Sequence, residues 1–461
     1  VKFVTAIAVL FVSAISEVQA DCLSAEELKA SADVVLTGQT SYVNKKKSLW
    51  RIHGSNPYTA DNVYNDIAIK LSSACSVVKD KLDLDFSFNA LGYYPSLSVG
   101  AFEKDSHRSK VLTDQLRLSY VLSDTTRLEG GKLRTPQGIF FLRSPATLLT
   151  NFYSAFKATR LYDKQMNSAY EESFWGARLS REYRNYALSL TVAPKLTSIK
   201  KYYDSSSNWS ANERSNSNER YLLSYTDFHF ARHTPSLNLM LGDSPSIAIA
   251  DSYNYTSQLI INAELAVHQA QQWRHFSKTN KEKVQQWRFP SSLYSAENKA
   301  GAELAIGGQY TTDRFSVFGL EYYFQSEGYS KSEWREQTDF IRYLNKKTGY
   351  AAIDQAYDNY KYLMGSEISN TSNRGMLQGR HYINAYASLL NEDRSSLQPY
   401  LVMNVVDRSA LVGIHYLKPL KGMDEKAEIY TGWYSALGSK DSEFALFGET
   451  LGIYAGFKYH L

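Results

Sequence analysis

The stretch from Leu451 to Leu461 constrains the fold more than any other part of the chain. Taken every second residue, one face is Leu451, Ile453, Ala455, Phe457, Tyr459 and Leu461, and the other is Gly452, Tyr454, Gly456, Lys458 and His460. Successive side chains of a strand point to opposite faces, so this is a strand with one apolar and one polar face. The two-residue period recurs upstream. In Leu82–Leu91, Leu82, Leu84, Phe86 and Phe88 alternate with Asp83, Asp85, Ser87 and Asn89. In Leu112–Leu122, Leu116, Leu118 and Tyr120 stand against Gln115, Arg117 and Ser119. Carboxylates, amides and an arginine along one face suit a wetted cavity better than a packed core.

About 18 such segments can be marked along the chain, and closed bacterial barrels prefer even strand counts, so 16 or 18 strands are expected. Tight turns such as Thr311–Arg314 and Val406–Ser409 join some of them. Other connections are long and polar, notably Tyr202–Asn218 and Trp273–Asn298. Mean hydropathy is −0.39, and Tyr (35) outnumbers Phe (21) and Trp (7). Beyond the first residues, no apolar run reaches the roughly 18 residues of a spanning helix. A barrel reconciles these facts, because only half of each strand meets lipid and aromatic rings gather at the two interfaces. The fold expected is all-β: a transmembrane antiparallel up-and-down β-barrel with an inward-folded loop. The competing reading is a secreted soluble β-protein.

The terminal pattern resembles the last strand of Gram-negative outer-membrane β-barrels, which ends on an aromatic residue preceded by apolar residues at every second position. Tyr459 and Phe457 fit it, and Leu461 stands where that family most often has Phe. A second resemblance lies at Gly131-Lys132-Leu133-Arg134-Thr135-Pro136-Gln137-Gly138. It is similar to the Gly-Arg-x-x-Thr-Pro-x-Gly text of porins, with Lys132 in place of the Arg, just before the loop that narrows their channel. The resemblance implies residence in the bacterial outer membrane among lipid and lipopolysaccharide. It also implies insertion by the barrel-assembly machinery through the C-terminal strand, and passage of small hydrophilic solutes. It leaves homo-oligomerisation open.

At the other end, Lys2, the apolar run Phe3–Val12 and Val18-Gln19-Ala20 predict a secretory signal peptide over 1–20. Asp21 stands where a lipoprotein signal needs a small residue before Cys22, which excludes that alternative. A short periplasmic segment, 21–32, is expected next, with a helix over Ala25–Ser31 from the capping-box spacing at Ser24. The barrel would then occupy 33–461. Cys22 and Cys75 are the only cysteines, and in an exported protein a disulfide is the default. It would be worth about 4 kcal/mol in the chain-entropy account.

Two segments break the alternation. In Gly138–Ser173, Leu149, Phe152, Tyr153 and Phe156 recur at helical spacing, which predicts an amphipathic helix inside the barrel. From Thr126 to Lys201 there are 13 Lys and Arg against 5 Asp and Glu, although the whole chain carries only +4. Arg117, Lys132, Arg134, Arg143, Arg160 and Arg178 are the candidates for the lumen or its constriction, where rings of cations would favour anions. Lipopolysaccharide phosphates or the solvated rim are the competing places for them. The second segment, Gln325–Arg380, is expected to hold helices from Ser332 to Leu344 and over Tyr350–Leu363, either as a loop with its own aromatic core around Trp334 or as a lid whose tyrosines stack on sugars.

Catalytic and cofactor signatures are absent. No nucleophile elbow, P-loop, His-Glu-x-x-His or dinucleotide fingerprint occurs. His229 and His233 lack a third ligand in view, so no metal is expected, and nothing points to nucleic acid. The expected function is a porin-like channel for passive diffusion of small hydrophilic solutes, with anions or sugars as candidates. Polysaccharide export or surface binding is the alternative. A barrel enzyme comes third, to be recognised by a His–carboxylate or His–Ser pair near the outer rim.

Overall fold

The computed structural model describes residues 31–46, 48–49, 62–94, 109–135, 138–149, 173–198, 216–296, 299–373, 377–420, 422, 426–446 and 448–461. The alternating segments become strands, as their β-branched and aromatic residues favour a pleated surface. In chain order they are β1 (Ala32–Lys45), β2 (Val63–Val78), β3 (Leu82–Tyr94), β4 (Ser109–Ser123), β5 (Thr126–Arg134) and β6 (Ser173–Glu182). Next come β7 (Tyr186–Ala193), β8 (Arg220–Asp227), β9 (Ser236–Gly242), β10 (Ser246–Asn254) and β11 (Leu259–His268). A two-residue pair, β12 (His275–Phe276) and β13 (Tyr294–Ser295), flanks helix α1 (Lys278–Gln285). Then follow β14 (Gly301–Thr311), β15 (Val317–Gln325), helices α2 (Lys331–Leu344) and α3 (Ala351–Asn373), and β16 (His381–Leu390). The last strands are β17 (Ser396–Asn404), β18 (Ser409–Pro419), β19 (Ala427–Leu437) and β20 (Glu449–His460).

All strands except β12 and β13 form one sheet of 18 strands. Each pairs antiparallel with its neighbour in sequence, and β11 passes to β14. The C-terminal strand pairs with β19 on one side and with β1 on the other, from Val35 opposite His460 to Asn44 opposite Leu451. That pairing closes the sheet and removes its edges.

The outer face is what hydrocarbon requires. Ile67, Ile69, Leu188, Leu190, Leu237, Leu239, Ile247, Ile249, Ile453 and Phe457 are all exposed at alternate strand positions. Backbone polar groups are satisfied between strands, so such a belt can face lipid. Aromatic rings mark the end with the short turns: Tyr183, Tyr186 and Tyr225 stack in a row, and Phe228, Phe230, Tyr255 and Phe315 are exposed nearby. The long connections leave from the opposite end. Two tight ones, residues 243–245 and 405–408, also lie there, so the turn read at Val406–Ser409 belongs to the loop side.

On that loop side the connections β11–β14 and β15–β16 build a helical cap. Trp273, Val284, Tyr294, Trp334, Ile341, Tyr357 and Met364 share one core. Ser330 caps α2 through a reciprocal box with Glu333, two residues before the start read from sequence. Trp334 donates its indole N–H to the Asp441 carbonyl, and Asn345 bonds the Leu49 carbonyl. The cap is thereby tied to the β19–β20 and β1–β2 connections.

The tyrosines are not confined to the interfaces. Across β15–β20 five lie inside over glycines directly opposite on the next strand: Tyr386 over Gly319, Tyr400 over Gly413, Tyr434 over Gly452, Tyr454 over Gly432 and Tyr430 over Gly456. A Cβ on Gly452 would come within 2.4 Å of the Tyr434 ring. Gly452→Val is therefore expected to expel that ring and cost about 1–3 kcal/mol. A lower temperature of conversion from the compact to the unfolded electrophoretic form would record it; an unchanged temperature would contradict the pairing.

Candidate channel constriction

Residues 138–149, which follow β5 in sequence, lie inside the barrel against β15, β14, β11, β9 and β8. From β5 to β15 is eight strands one way round and ten the other, so a segment joining them spans nearly the full width. Residues 138–149 run from β15 to β8 on the side of the interior away from β4–β5, and three glutamates on adjacent strands hold them. Glu321 of β15 accepts the backbone N–H groups of Phe141 (2.7 Å) and Leu142 (3.0 Å), and the Asn384 amide (2.8 Å). Glu303 of β14 takes the Arg143 guanidinium in a fork, at 2.6 and 3.1 Å. Glu264 of β11 accepts from the Ser144 hydroxyl (2.6 Å) and the Ala146 N–H (2.8 Å). Ionised acceptors make the stronger hydrogen bonds, and here they satisfy backbone that no sheet could serve.

Further along, Arg220 of β8 donates to the Leu149 carbonyl at 2.6 Å and Asn238 of β9 to that of Ala146 at 3.3 Å. Small wall residues make room: Ala193, Ala248, Ala250 and Ala266 pack with Leu148 and Leu149. On the other flank Phe140 and Leu142 join the tyrosine arc, and Phe141 stacks on Tyr386 at 5.1 Å. Gly138 is required because a Cβ there would overlap the Ser144 side chain at 1.9 Å.

The facing wall carries a ladder of charge. Arg117 of β4 reaches Asp85 of β3 and Glu129 of β5, both at 2.6 Å. Arg178 of β6 meets Glu129 at 3.5 Å and the Thr191 hydroxyl at 3.2 Å. The Arg117 side chain keeps 30% of its surface accessible and Arg178 20%, more than Arg143 at 12%. These two are the partly wetted cations.

The six cations singled out from sequence therefore divide. Arg117 and Arg178 stand together on the inner wall. Arg143 is an anchor of the crossing segment, spent on Glu303, rather than a charge presented to solute. Lys132 is buried within β5 and Arg134 half-buried at its end. Arg160 lies outside the described residues, as do Phe152, Tyr153 and Phe156 of the expected helix. Arg117, Arg143 and Arg178 each meet a carboxylate, so these three candidate lumen charges are matched locally. Cys75 is disulfide-bonded; Cys22 lies outside the described residues.

The three glutamates were missed in the sequence. Their signal was a lone acid among small inward residues on successive strands: Glu264 before Ala266, Glu303 between Gly301 and Ala305, Glu321 after Gly319. A His–Ser contact also exists: Ser246 Oγ lies 2.8 Å from His268 Nδ1, whose Nε2 lies 3.0 Å from Glu303. All three residues are buried, and Glu303 is shared with Arg143 and with the Tyr323 hydroxyl at 2.6 Å. His268 thereby adds a contact to the carboxylate that holds Arg143. Among the described residues no group of three or more His, Cys, Asp or Glu is placed to hold a metal.

A second acidic knot joins cap to barrel. Glu443 accepts from Gln378 N (2.8 Å), the Tyr382 hydroxyl (2.6 Å) and the Asn404 amide (2.7 Å). Burial, then the nearby Asp407 carboxylate, pushes Glu443 up to about 7. Glu327, which accepts the Gln272 N–H, is pushed up to about 7 chiefly by burial. A raised carboxyl favours the folded protein below its unfolded value of 4.5, and that contribution is lost as pH rises through about 7. The conversion temperature should thus fall between pH 5 and 8, and Glu443→Gln with Glu327→Gln should flatten the fall. A pH dependence of full size in the double variant would contradict this.

No protein-family model matches the chain, and no curated protein does. Solved structures match in fold. OccAB1 of Acinetobacter baumannii aligns with a TM-score of 0.52 at 10% identity, covering 96% of this chain and 98% of that one. OccAB2 of the same organism gives 0.51 at 10% identity, over 93% and 98%. OccK11 (OpdR) of Pseudomonas aeruginosa gives 0.49 at 11% identity, over 94% and 95%. The closed sheet, the apolar belt and the crossed polar interior define a bacterial outer-membrane β-barrel of porin-like architecture. Similarity to the two Acinetobacter structures runs along nearly the whole chain and concerns its fold.

Proposed function

We propose that the chain is a porin-like channel through which small hydrophilic solutes diffuse passively. The observation that carries this is the docking of residues 138–149 on Glu264, Glu303 and Glu321, opposite the partly exposed Arg117 and Arg178. A segment fixed across a barrel leaves a passage narrowed on one side by backbone and on the other by charge, which sorts solutes by size and sign. Because Asp85 and Glu129 offset the two arginines, selectivity between anions and cations is expected to be weak. The neighbours' fold adds support of a general kind. An aromatic sliding track for polysaccharide export is less favoured, because Tyr382, Tyr430, Tyr434 and Tyr454 are packed and almost wholly buried.

Purified protein in a planar bilayer should give discrete conductance steps, with a reversal potential near zero in a salt gradient. Arg117→Ala with Arg178→Ala should leave Asp85 and Glu129 uncompensated and shift that potential toward cations. A folded barrel that inserts without conducting would sink the proposal.

A further inference from the structure

Helix α1 ends in a Schellman turn. The Trp287 N–H bonds the Val284 carbonyl and the Arg288 N–H that of Lys283, with the cap at Gln286. The residue past the cap must turn left-handed, a place ordinarily taken by glycine. Here it is Trp287, at φ 62°, and its side chain is not tucked away but 56% exposed. A bulky aromatic residue in that conformation is uncommon, and such outliers gather at functional sites.

Its neighbours extend the surface. The Tyr350 ring, 62% exposed, packs edge-on against the indole at 6.2 Å. The indole side chain lies beside the Tyr357 hydroxyl. Phe289, also exposed, stacks on Tyr360 at 6.2 Å. Lys283 and Arg288 adjoin Trp287 and are exposed. Lys346 lies over the Tyr343 ring, whose hydroxyl meets that of Tyr357 at 2.9 Å. Lys347 is exposed as well, 3.8 Å from Asp354, itself occupied by Thr348. Four cations thus flank an aromatic platform whose acids are Glu282 and Asp354. The cap belongs to the long-loop end, the extracellular side in barrels of this architecture.

We propose that this outer face of the cap, centred on Trp287, is a binding site for acidic polysaccharide. Flat rings accept the C–H faces of pyranoses, and the lysines and arginine take carboxylates. The site is separate from the lumen and does not depend on the channel reading.

Full-length protein in detergent micelles, titrated calorimetrically with mannuronate oligomers and with dextran oligomers, tests it. The mannuronate oligomers should bind, more weakly as salt is raised, and dextran should bind far less. Trp287→Gly should weaken binding about tenfold or more, as loss of an anchoring aromatic does. It should leave conversion temperature and conductance steps unchanged or raise the temperature, because glycine suits the turn. Tyr350→Ala should weaken binding in the same direction. Four results would overturn the proposal: no mannuronate binding, equal binding of dextran, Trp287→Gly binding like wild type, or Trp287→Gly failing to fold. Self-association that Trp287→Gly abolishes would assign the face to a second copy of this chain instead.

Discussion

Glu303→Ala is expected to lower the stability of the barrel by about 3–5 kcal/mol, the usual cost of stranding a buried charge. The substitution removes the carboxylate shared by the Arg143 guanidinium, the His268 ring and the Tyr323 hydroxyl. Converting the pair to Arg143→Met and Glu303→Met removes both charges at once, and hydrophobic replacement of a buried pair is often close to neutral. The double variant should therefore convert at a higher temperature than Glu303→Ala alone. If the two convert together, the pair is not buried and coupled as described. Arg143→Ala should fall between them, because Glu303 keeps two other donors.

Glu264→Ala with Glu321→Ala is the second large effect, and it is functional. The two carboxylates accept four hydrogen bonds from residues 141–146 and one from Asn384. Hydrogen bonds to charged groups are worth about 1.5–3 kcal/mol each. Losing even two would shift the docked-to-released ratio by about a hundredfold or more. The segment should leave the wall part of the time, raising mean conductance and its noise. Conductance equal to that of the unsubstituted protein would mean that residues 138–149 do not narrow the passage.

The architecture was legible because its signal is local. Leu82–Leu91 and Leu112–Leu122, read from the two-residue period, fall within β3 and β4, and Leu451–Leu461 overlaps β20. The terminal strand is the alternating one read from sequence, and its pairing with β1 closes the sheet. Contacts between distant residues were not legible. Arg143 and Glu303 are 160 positions apart, and nothing near Arg143 says that its charge is already matched. A count along Thr126–Lys201 sees Arg143 and misses the Glu303 that matches it on another strand. The tyrosines illustrate the same limit. Tyr454 was assigned to the inward face beside Gly452 and Gly456, but the glycine it covers, Gly432, belongs to the neighbouring strand. Only register reveals that pair, and register is a property of the closed sheet.

Polymer exclusion on single channels tests the central claim most directly. Poly(ethylene glycol) of increasing mass, added on both sides of a bilayer, lowers conductance only while it fits the passage. The largest polymer that still lowers it should be small for the natural protein and larger for Glu264→Ala with Glu321→Ala. An identical cut-off in both, or a folded barrel that conducts in neither, would contradict a lumen narrowed by residues 138–149.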